Sequence, residues 1–173
     1  PDYVQRFAAH AAYDGPVAGA PAGEKVDPAD LQAQIAQTPE PVMPAQGTDM
    51  PGPTGESNRL YHVPRPPILC LGPGPEAAAE QRHQVEANGG QAVVVDGALE
   101  PAALETLTGF GGVLWWGDAA TGRDLAQALA RRPGPIIPLI TEYPDRAHAH
   151  HERHVCVDIT ASGGNAQLLA NVR

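Results

Sequence analysis

The segment from Ile68 to Ala79 constrains the fold more than any other stretch of this sequence. Four apolar residues, Ile68–Leu71, run directly into the turn Gly72–Pro75, and an alanine-rich stretch follows at once. A short apolar run that ends at glycine and proline, with a helix-permissive segment behind it, is typical of a buried strand entering a βαβ unit. We therefore expect a strand, a tight turn and a crossover helix here.

Three later apolar runs predict further strands: Ala92–Val95, Gly112–Trp116 and Ile136–Ile140. The runs do not alternate between apolar and polar residues, which is typical of parallel strands covered by helices on both faces. The intervening stretches predict helices over Glu76–Asn88, over Pro101–Leu107, and after a cap at Asp118 or Thr121, with Leu125, Ala128 and Leu129 on the buried face.

A proline in the fourth run restricts the order of these strands. Pro138 cannot donate a ladder hydrogen bond, so its strand is expected at an edge of the sheet. Right-handed crossovers with the order 3-2-1-4 meet this condition and put a topological switch point at the end of the first strand, beside Gly72–Pro75. The predicted fold class is α/β, with a small Rossmann-like parallel sheet within residues 60–147.

The chain before this sheet has the composition of a linker. Twelve of the 19 prolines lie at or before Pro67, and the stretch is nearly free of aromatic residues. Residues 8–59 therefore bury too little apolar surface to offset the entropy of ordering them. The alternation in Asp2–Phe7 predicts a short strand, or else a frayed terminus.

One helix is expected inside the linker. Asp27 can cap it, Pro28 suits its first position, and Leu31 and Ile35 share one face. The helix should end before Pro39, and the composition of Pro39–Pro53 is that of a linker.

The C-terminal residues 148–173 follow a different pattern. Val155, Val157 and Ile159 alternate with polar residues, which predicts a strand with only one buried face. Burying each of these side chains is worth roughly 1.5–3 kcal/mol, and the polar residues that follow cannot cover them. We therefore expect a neighbouring domain or a second chain to cover this strand.

The charge and the cysteines exclude several classes of function. A net charge of −9 argues against nucleic acids and anionic membranes as partners. The two cysteines, Cys70 and Cys156, lie in strand-like runs and predict buried reduced thiols rather than a disulfide framework. Without a membrane-spanning stretch or a signal peptide, the expected location is cytoplasmic.

A weak dinucleotide-binding fingerprint lies at the first turn. Gly72, Gly74 and Ala77 follow a strand and open a helix, and Asp96 ends the next strand. Glycines at this spacing let backbone amides approach a pyrophosphate, and the acid binds the ribose. The prolines within Gly72–Pro75 remove amide donors, and the negative Glu76 lies at the anion site, so a plain βα turn is the favoured interpretation.

No catalytic or metal-binding constellation emerges. The run from His148 to His154 contains four histidines but no H-E-x-x-H motif, so a solvated loop before a strand is favoured over a metal site. Cys70 and Cys156 lie in mid-strand, where a thiol is normally inert. We expect no catalytic residue and no bound cofactor or metal in this stretch.

Four phrases together resemble the C-terminal end of long-form proline utilization A (PutA). They are Pro1–Phe7, Gly52–Tyr61, Leu69–Leu71 and Val157–Leu169, and the most specific parts are Gly-Pro-Thr-Gly-Glu and Ala-x-Gly-Gly-Asn. PutA is a bifunctional flavoenzyme with proline dehydrogenase and L-glutamate γ-semialdehyde dehydrogenase modules.

The resemblance implies a division of the chain and a role for it. Residues 1–7 would end the aldehyde dehydrogenase module, residues 60–147 would form a non-catalytic domain of the aldehyde dehydrogenase superfamily, and residues 148–173 a β-flap and tail. Such a domain acts as a lid over the tunnel for the pyrroline-5-carboxylate/semialdehyde intermediate, while FAD and NAD belong to the parent's other modules. The expected docking residues are Val155, Val157, Ile159, Gly163, Gly164 and Asn165, and the expected partners are the parent's catalytic modules and a second protomer.

Two other functions stay open at this point. The fingerprint at Gly72, Gly74, Ala77 and Asp96 would suit a dinucleotide-binding module. The one-sided strand would equally suit an element that serves only oligomerisation.

Overall fold

Two β-sheets dominate the part of the chain that the computed structural model describes, which is residue 19, residue 21 and residues 23–158. In chain order the elements are α1 (Pro28–Ala36), β1 (Thr48–Met50), β2 (Glu56–Pro64), β3 (Ile68–Cys70), α2 (Gly74–Ala87), β4 (Ala92–Val94), a 3₁₀ turn (Pro101–Glu105), β5 (Gly112–Leu114), α3 (Ala119–Ala130), β6 (Leu139–Ile140), α4 (Arg146–Ala149) and β7 (His150–Asp158).

The four-stranded parallel sheet confirms the predicted α/β class. Ile68, Leu69 and Cys70 in β3 are each at most 1% exposed, because helices cover both faces of the sheet. Val85 of α2 packs on the face of Ile68 and Cys70. Leu125 of α3 packs on the opposite face, which carries Leu69. The non-alternating apolar runs therefore correspond to strands buried on both sides.

The strand order 3-2-1-4 was wrong. The strands β3, β4, β5 and β6 are the first to fourth of the prediction, and they lie in the order 2-1-3-4. The helix α2 covers one face, whereas the 3₁₀ turn and α3 cover the other. Because parallel crossovers are right-handed, connections on opposite faces run in opposite directions along the sheet, so β5 lies on the far side of β3 from β4. The switch point therefore falls between β3 and β5.

The fourth strand does lie at an edge, as its proline requires. Only Leu139 and Ile140 form β6, and Pro138 precedes them. The carbonyl oxygen of Pro138 accepts a hydrogen bond from the Val113 amide at 3.0 Å, so the proline contributes its acceptor without having to donate.

The second sheet is antiparallel, with the order β1-β2-β7. β2 and β7 pair along their full lengths, from Glu56 opposite Asp158 to Pro64 opposite His150. The turn between β1 and β2 contains Gly55 at φ 97°, a conformation that favours glycine. This hairpin lies partly inside the range predicted as linker, because β1 and the first residues of β2 precede residue 60. Asp2–Phe7 and Ile159 lie outside the described residues.

Arg65 ties the chain after β2 to the start of β7. Its amide donates to the Ala149 carbonyl oxygen at 2.9 Å, and its Nε lies 3.3 Å from the carbonyl oxygens of Ala147 and His150. The Arg65 backbone and guanidinium thus extend the pairing of β2 with β7 beyond the last ladder pair, Pro64 opposite His150.

The predicted linker helix is present as α1 and belongs to the core. Asp27 accepts a hydrogen bond from the Ala29 amide at 2.8 Å and caps the helix, as predicted. Leu31 and Ile35 are 1% and 3% exposed and pack in the core cluster on the α3 side of the sheet. The Gln32 side chain also accepts from the Thr108 amide at 2.9 Å.

Leu31→Ala should destabilise the chain strongly, because it leaves a cavity between α1 and the sheet. We expect a loss of about 2–5 kcal/mol in the free energy of unfolding. Urea unfolding followed by the fluorescence of the buried Trp115 and Trp116 measures it. The control Gln34→Ala, on the exposed face of α1, should change stability by less than about 0.5 kcal/mol. Equal effects of the two changes would show that α1 is not part of the core.

Candidate functional site

The turn between β3 and α2 lies at the switch point, where open α/β sheets bind their ligands. Gly72 has φ 90° and is buried. Its amide donates to Oε1 of Gln81 at 3.0 Å, and its carbonyl oxygen accepts from Nε2 of Gln81 at 2.8 Å. The same oxygen accepts from the Trp116 amide at 2.9 Å. The Gly72 peptide groups are thus satisfied inside the protein.

This turn offers a phosphate fewer backbone donors than a dinucleotide site would. Pro73 and Pro75 have no amide hydrogen, and the Gly72 amide is bound to Gln81, which is 0% exposed. Glu76 adds a negative charge in the first turn of α2. A helix N-terminus with these features offers little to an anion. The geometry therefore favours the plain βα turn over the dinucleotide site.

The structure brings the fingerprint residues together only in part. Gly72, Gly74 and Ala77 lie along one turn and the first turn of α2, and Ala77 packs on the core beside the sheet. Asp96 follows β4 and is exposed. Gln81 closes the site and was missed by sequence reasoning, because a glutamine within a helix gives no local signal that it binds a turn nine residues earlier.

The cysteines and histidines supply no reactive centre. Burial raises the pKa of the Cys70 thiol to about 12, so this thiol stays protonated at neutral pH. The prediction that Cys156 is buried was wrong: its side chain is exposed, because β7 lies outside the core. Desolvation and the carboxylates of Glu56 and Asp158 raise the pKa of Cys156 as well. Neither cysteine has the low pKa of a nucleophile.

The histidine run lies on α4 and β7 and not in a loop. His148 caps α4 together with Asp145, its Nδ1 accepting from the Asp145 amide at 3.1 Å. Burial lowers the pKa of His150 and of His151. Among the described residues, no group of three or more histidine, cysteine, aspartate or glutamate side chains is arranged to hold a metal ion.

The candidate docking surface is the face of the antiparallel sheet that carries Val155 and Val157. Residues directly opposite in an antiparallel pair lie on the same face, so these valines share a face with their partners Arg59 and Ser57. Val155 is 39% exposed and Val157 is 51% exposed. Two predicted docking residues thus lie together on an uncovered surface. The other predicted docking residues lie outside the described residues: Ile159, Gly163, Gly164 and Asn165.

Sequence reasoning missed the strand that positions this surface. β2 pairs with every residue of β7 and also carries Tyr61 and Val63, which are half-buried on the valine face. The available signal was the turn at Gly55, followed by a run in which apolar residues such as Leu60 and Val63 are mixed with polar ones. Such a run after a glycine turn is compatible with a strand.

Comparison with known proteins identifies relatives of most of this chain. No family model matches the chain. The bifunctional protein PutA of Escherichia coli K12 is 30% identical over 163 residues, which cover 81% of this chain and 12% of that protein. The PutA of Salmonella typhimurium is 32% identical over 143 residues, covering 69% and 11% of the two chains. The chain belongs to the PutA family. It spans only a small part of the length of these PutA proteins.

Solved PutA structures also resemble this segment. A variant of PutA from Bradyrhizobium japonicum is 26% identical with a TM-score of 0.42, and another bifunctional PutA is 27% identical with a TM-score of 0.40. Each alignment covers 55% of this chain and 13% of the PutA chain.

Within the described residues, no helix has the length and apolar character needed to cross a membrane.

Gln81→Leu should destabilise the chain, because it leaves the buried Gly72 amide without an acceptor. The expected loss is about 1–3 kcal/mol in the free energy of unfolding. Urea unfolding gives the value, with Gln84→Leu as control, since Gln84 makes its side-chain bond to Glu80 at the surface of the same helix. A loss no larger than that of the control would contradict the closed turn.

Proposed function

We propose that this segment is a non-catalytic docking and lid domain of a PutA-type bifunctional enzyme. The observation that carries the proposal is the antiparallel sheet, in which β2 and β7 pair along their full lengths and Val155 and Val157 are exposed on one face. The parent would oxidise proline to glutamate with FAD and NAD in its other modules. The lid would cover the tunnel through which the pyrroline-5-carboxylate/semialdehyde intermediate passes.

The exposed valine face favours a docking role. Burying a valine fully is worth about 1.5 kcal/mol or more, so leaving two of them on one strand is unfavourable unless another surface covers them. In the described sheet, β7 is also an edge strand of nine residues. An edge of this length presents unpaired backbone groups that invite a further strand. Both features suit contact with a larger protein body.

The closed switch point favours a domain without its own chemistry. Gln81 and the two prolines remove three backbone positions around Gly72 as donors to a phosphate. Cys70, whose pKa burial raises to about 12, cannot act as a nucleophile near neutral pH. A nucleotide-binding fold in this state supplies shape and rigidity rather than a cofactor site, which is what a lid needs.

The second candidate function is oligomerisation alone. The same edge strand β7 could pair with its counterpart in a second copy of the parent across a two-fold axis. In that case the valine face would be covered by the other protomer. Disrupting this surface separates the two functions. If the domain is a lid, transfer of the intermediate changes; if it serves only oligomerisation, the size of the assembly changes.

Val155→Asp combined with Val157→Asp should open the lid in the full-length parent. Burying an unpaired carboxylate costs several kcal/mol, which weakens docking by about two orders of magnitude. We expect a longer lag before NADH appears from proline, with unchanged proline dehydrogenase activity and unchanged oxidation of added semialdehyde.

The control is His154→Asp, which places one carboxylate on the opposite face of β7 and should leave the lag unchanged. The single variant Val155→Asp, which adds the same charge on the valine face, is compared with it directly. An unchanged lag in the double variant would contradict the lid. A smaller assembly by size-exclusion chromatography with light scattering, together with an unchanged lag, would favour oligomerisation instead.

A further inference from the structure

We infer that a strap, defined as residue 19 together with residues 23–26, occupies the carboxyl edge of the parallel sheet in place of a ligand. In sheets of this topology the crevice outside the carboxyl ends of the strands is the usual ligand position. The strap contacts the chain just after three of the four parallel strands. These strap contacts are different from the Gln81–Gly72 hydrogen bonds that close the turn after β3.

The first contact lies beyond the end of β4. The Val26 amide donates to the Ala98 carbonyl oxygen at 3.0 Å, and the Ala98 amide donates to the Glu24 carbonyl oxygen at 2.8 Å. Lys25 thereby forms a parallel bridge with Ala98. The Lys25 ammonium also lies 3.3 Å from Glu100, although both side chains are well exposed, so this ion pair adds little.

Glycines make this contact possible. Gly23 and Gly97 have φ of 103° and 125°, and a Cβ on Gly23 would lie 3.0 Å from the Gly97 Cα. A Cβ on Gly97 would overlap the carbonyl oxygen of Glu24 and lie 3.0 Å from the Val26 side chain. The two backbones therefore pack directly against each other. Val26 is partly buried against the core cluster, which adds apolar contact to the hydrogen bonds.

The second contact lies beyond the ends of β3 and β5. The Asp118 amide donates to the Gly19 carbonyl oxygen at 2.9 Å. A Cβ on Gly19 would lie 3.0 Å from Cγ of Pro73, and a Cβ on Gly117 would lie 2.5 Å from the Gly19 oxygen. Residue 19 thus lies between the turn after β3 and the turn after β5, at the switch point itself. The strap takes the place where a nucleotide would bridge these turns.

Gly97→Ala should release the strap in the full-length protein, and trypsin should detect the release. Lys25 is the only lysine or arginine between Arg6 and Arg59, so cleavage after it reports on the strap alone. Proteases need a locally opened backbone, and the paired strap should resist them. We expect the initial rate of cleavage after Lys25, followed by mass spectrometry, to rise at least about tenfold.

Gly134→Ala is the matched control. Gly134 also has a positive φ, of 95°, but nothing lies within 4 Å of an added Cβ. It therefore introduces the same backbone strain without touching the strap. Cleavage after Arg123, in α3, should stay slow in both variants and shows that the core is intact. Equal rates after Lys25 in the two variants would overturn the inference.

Two further measurements cover the remaining outcomes. If Gly97→Ala also accelerates cleavage after Arg123, Val26→Ser replaces it, because this change removes the apolar contact without altering the sheet. A lack of faster cleavage after Lys25 in that variant would overturn the inference. Calorimetric titration of the unaltered protein with NAD and ATP should show no binding, because the strap fills the ligand position. Binding of either nucleotide while Lys25 stays protected from trypsin would overturn the inference.

Discussion

The two hydrogen bonds between Gln81 and Gly72 fasten the turn on which the parallel sheet depends. They fix the turn that leads from β3, the central strand, into α2, and the Gly72 carbonyl oxygen also binds the Trp116 amide beyond β5. Because every partner is buried, opening this turn would leave several polar groups unpaired, each at a cost of about 1–3 kcal/mol. The same bonds that stabilise this turn also occupy the Gly72 amide, which a phosphate would otherwise use.

The two sheets differ in how far their side chains are buried. The parallel sheet is covered on both faces, whereas the antiparallel sheet exposes Val155 and Val157. Arg65 strengthens the antiparallel sheet, because it binds three carbonyl oxygens around the start of β7 from the end of β2. An enclosed sheet that carries a partly apolar, exposed second sheet suits the docking role proposed above.

Local signals in the sequence predicted the parallel strands, the helix α1 and the exposed valine pair. Asp27 and Pro28 mark a helix start through their own backbone chemistry, and unbroken apolar runs mark strands buried on two faces. The strand order was wrong because it depends on which face each crossover takes, which no single segment encodes. Gln81 was missed because a glutamine inside a helix gives no local sign that it binds the turn before that helix. The strap was out of reach because its partners lie far along the chain, as with Lys25 and Ala98. The strand β2 was missed because its side chains are mixed in character and its stability comes from pairing with β7.

The central claim is that the parent protein covers the antiparallel sheet, and amide hydrogen exchange along His150–Asp158 tests it most directly. The comparison is between the full-length parent and the separate 173-residue chain, with the buried strand Ile68–Cys70 as internal reference. The account predicts clearly slower exchange along β7 in the full-length protein, with the reference strand equally protected in both. Equal exchange along β7 in the two proteins would contradict it.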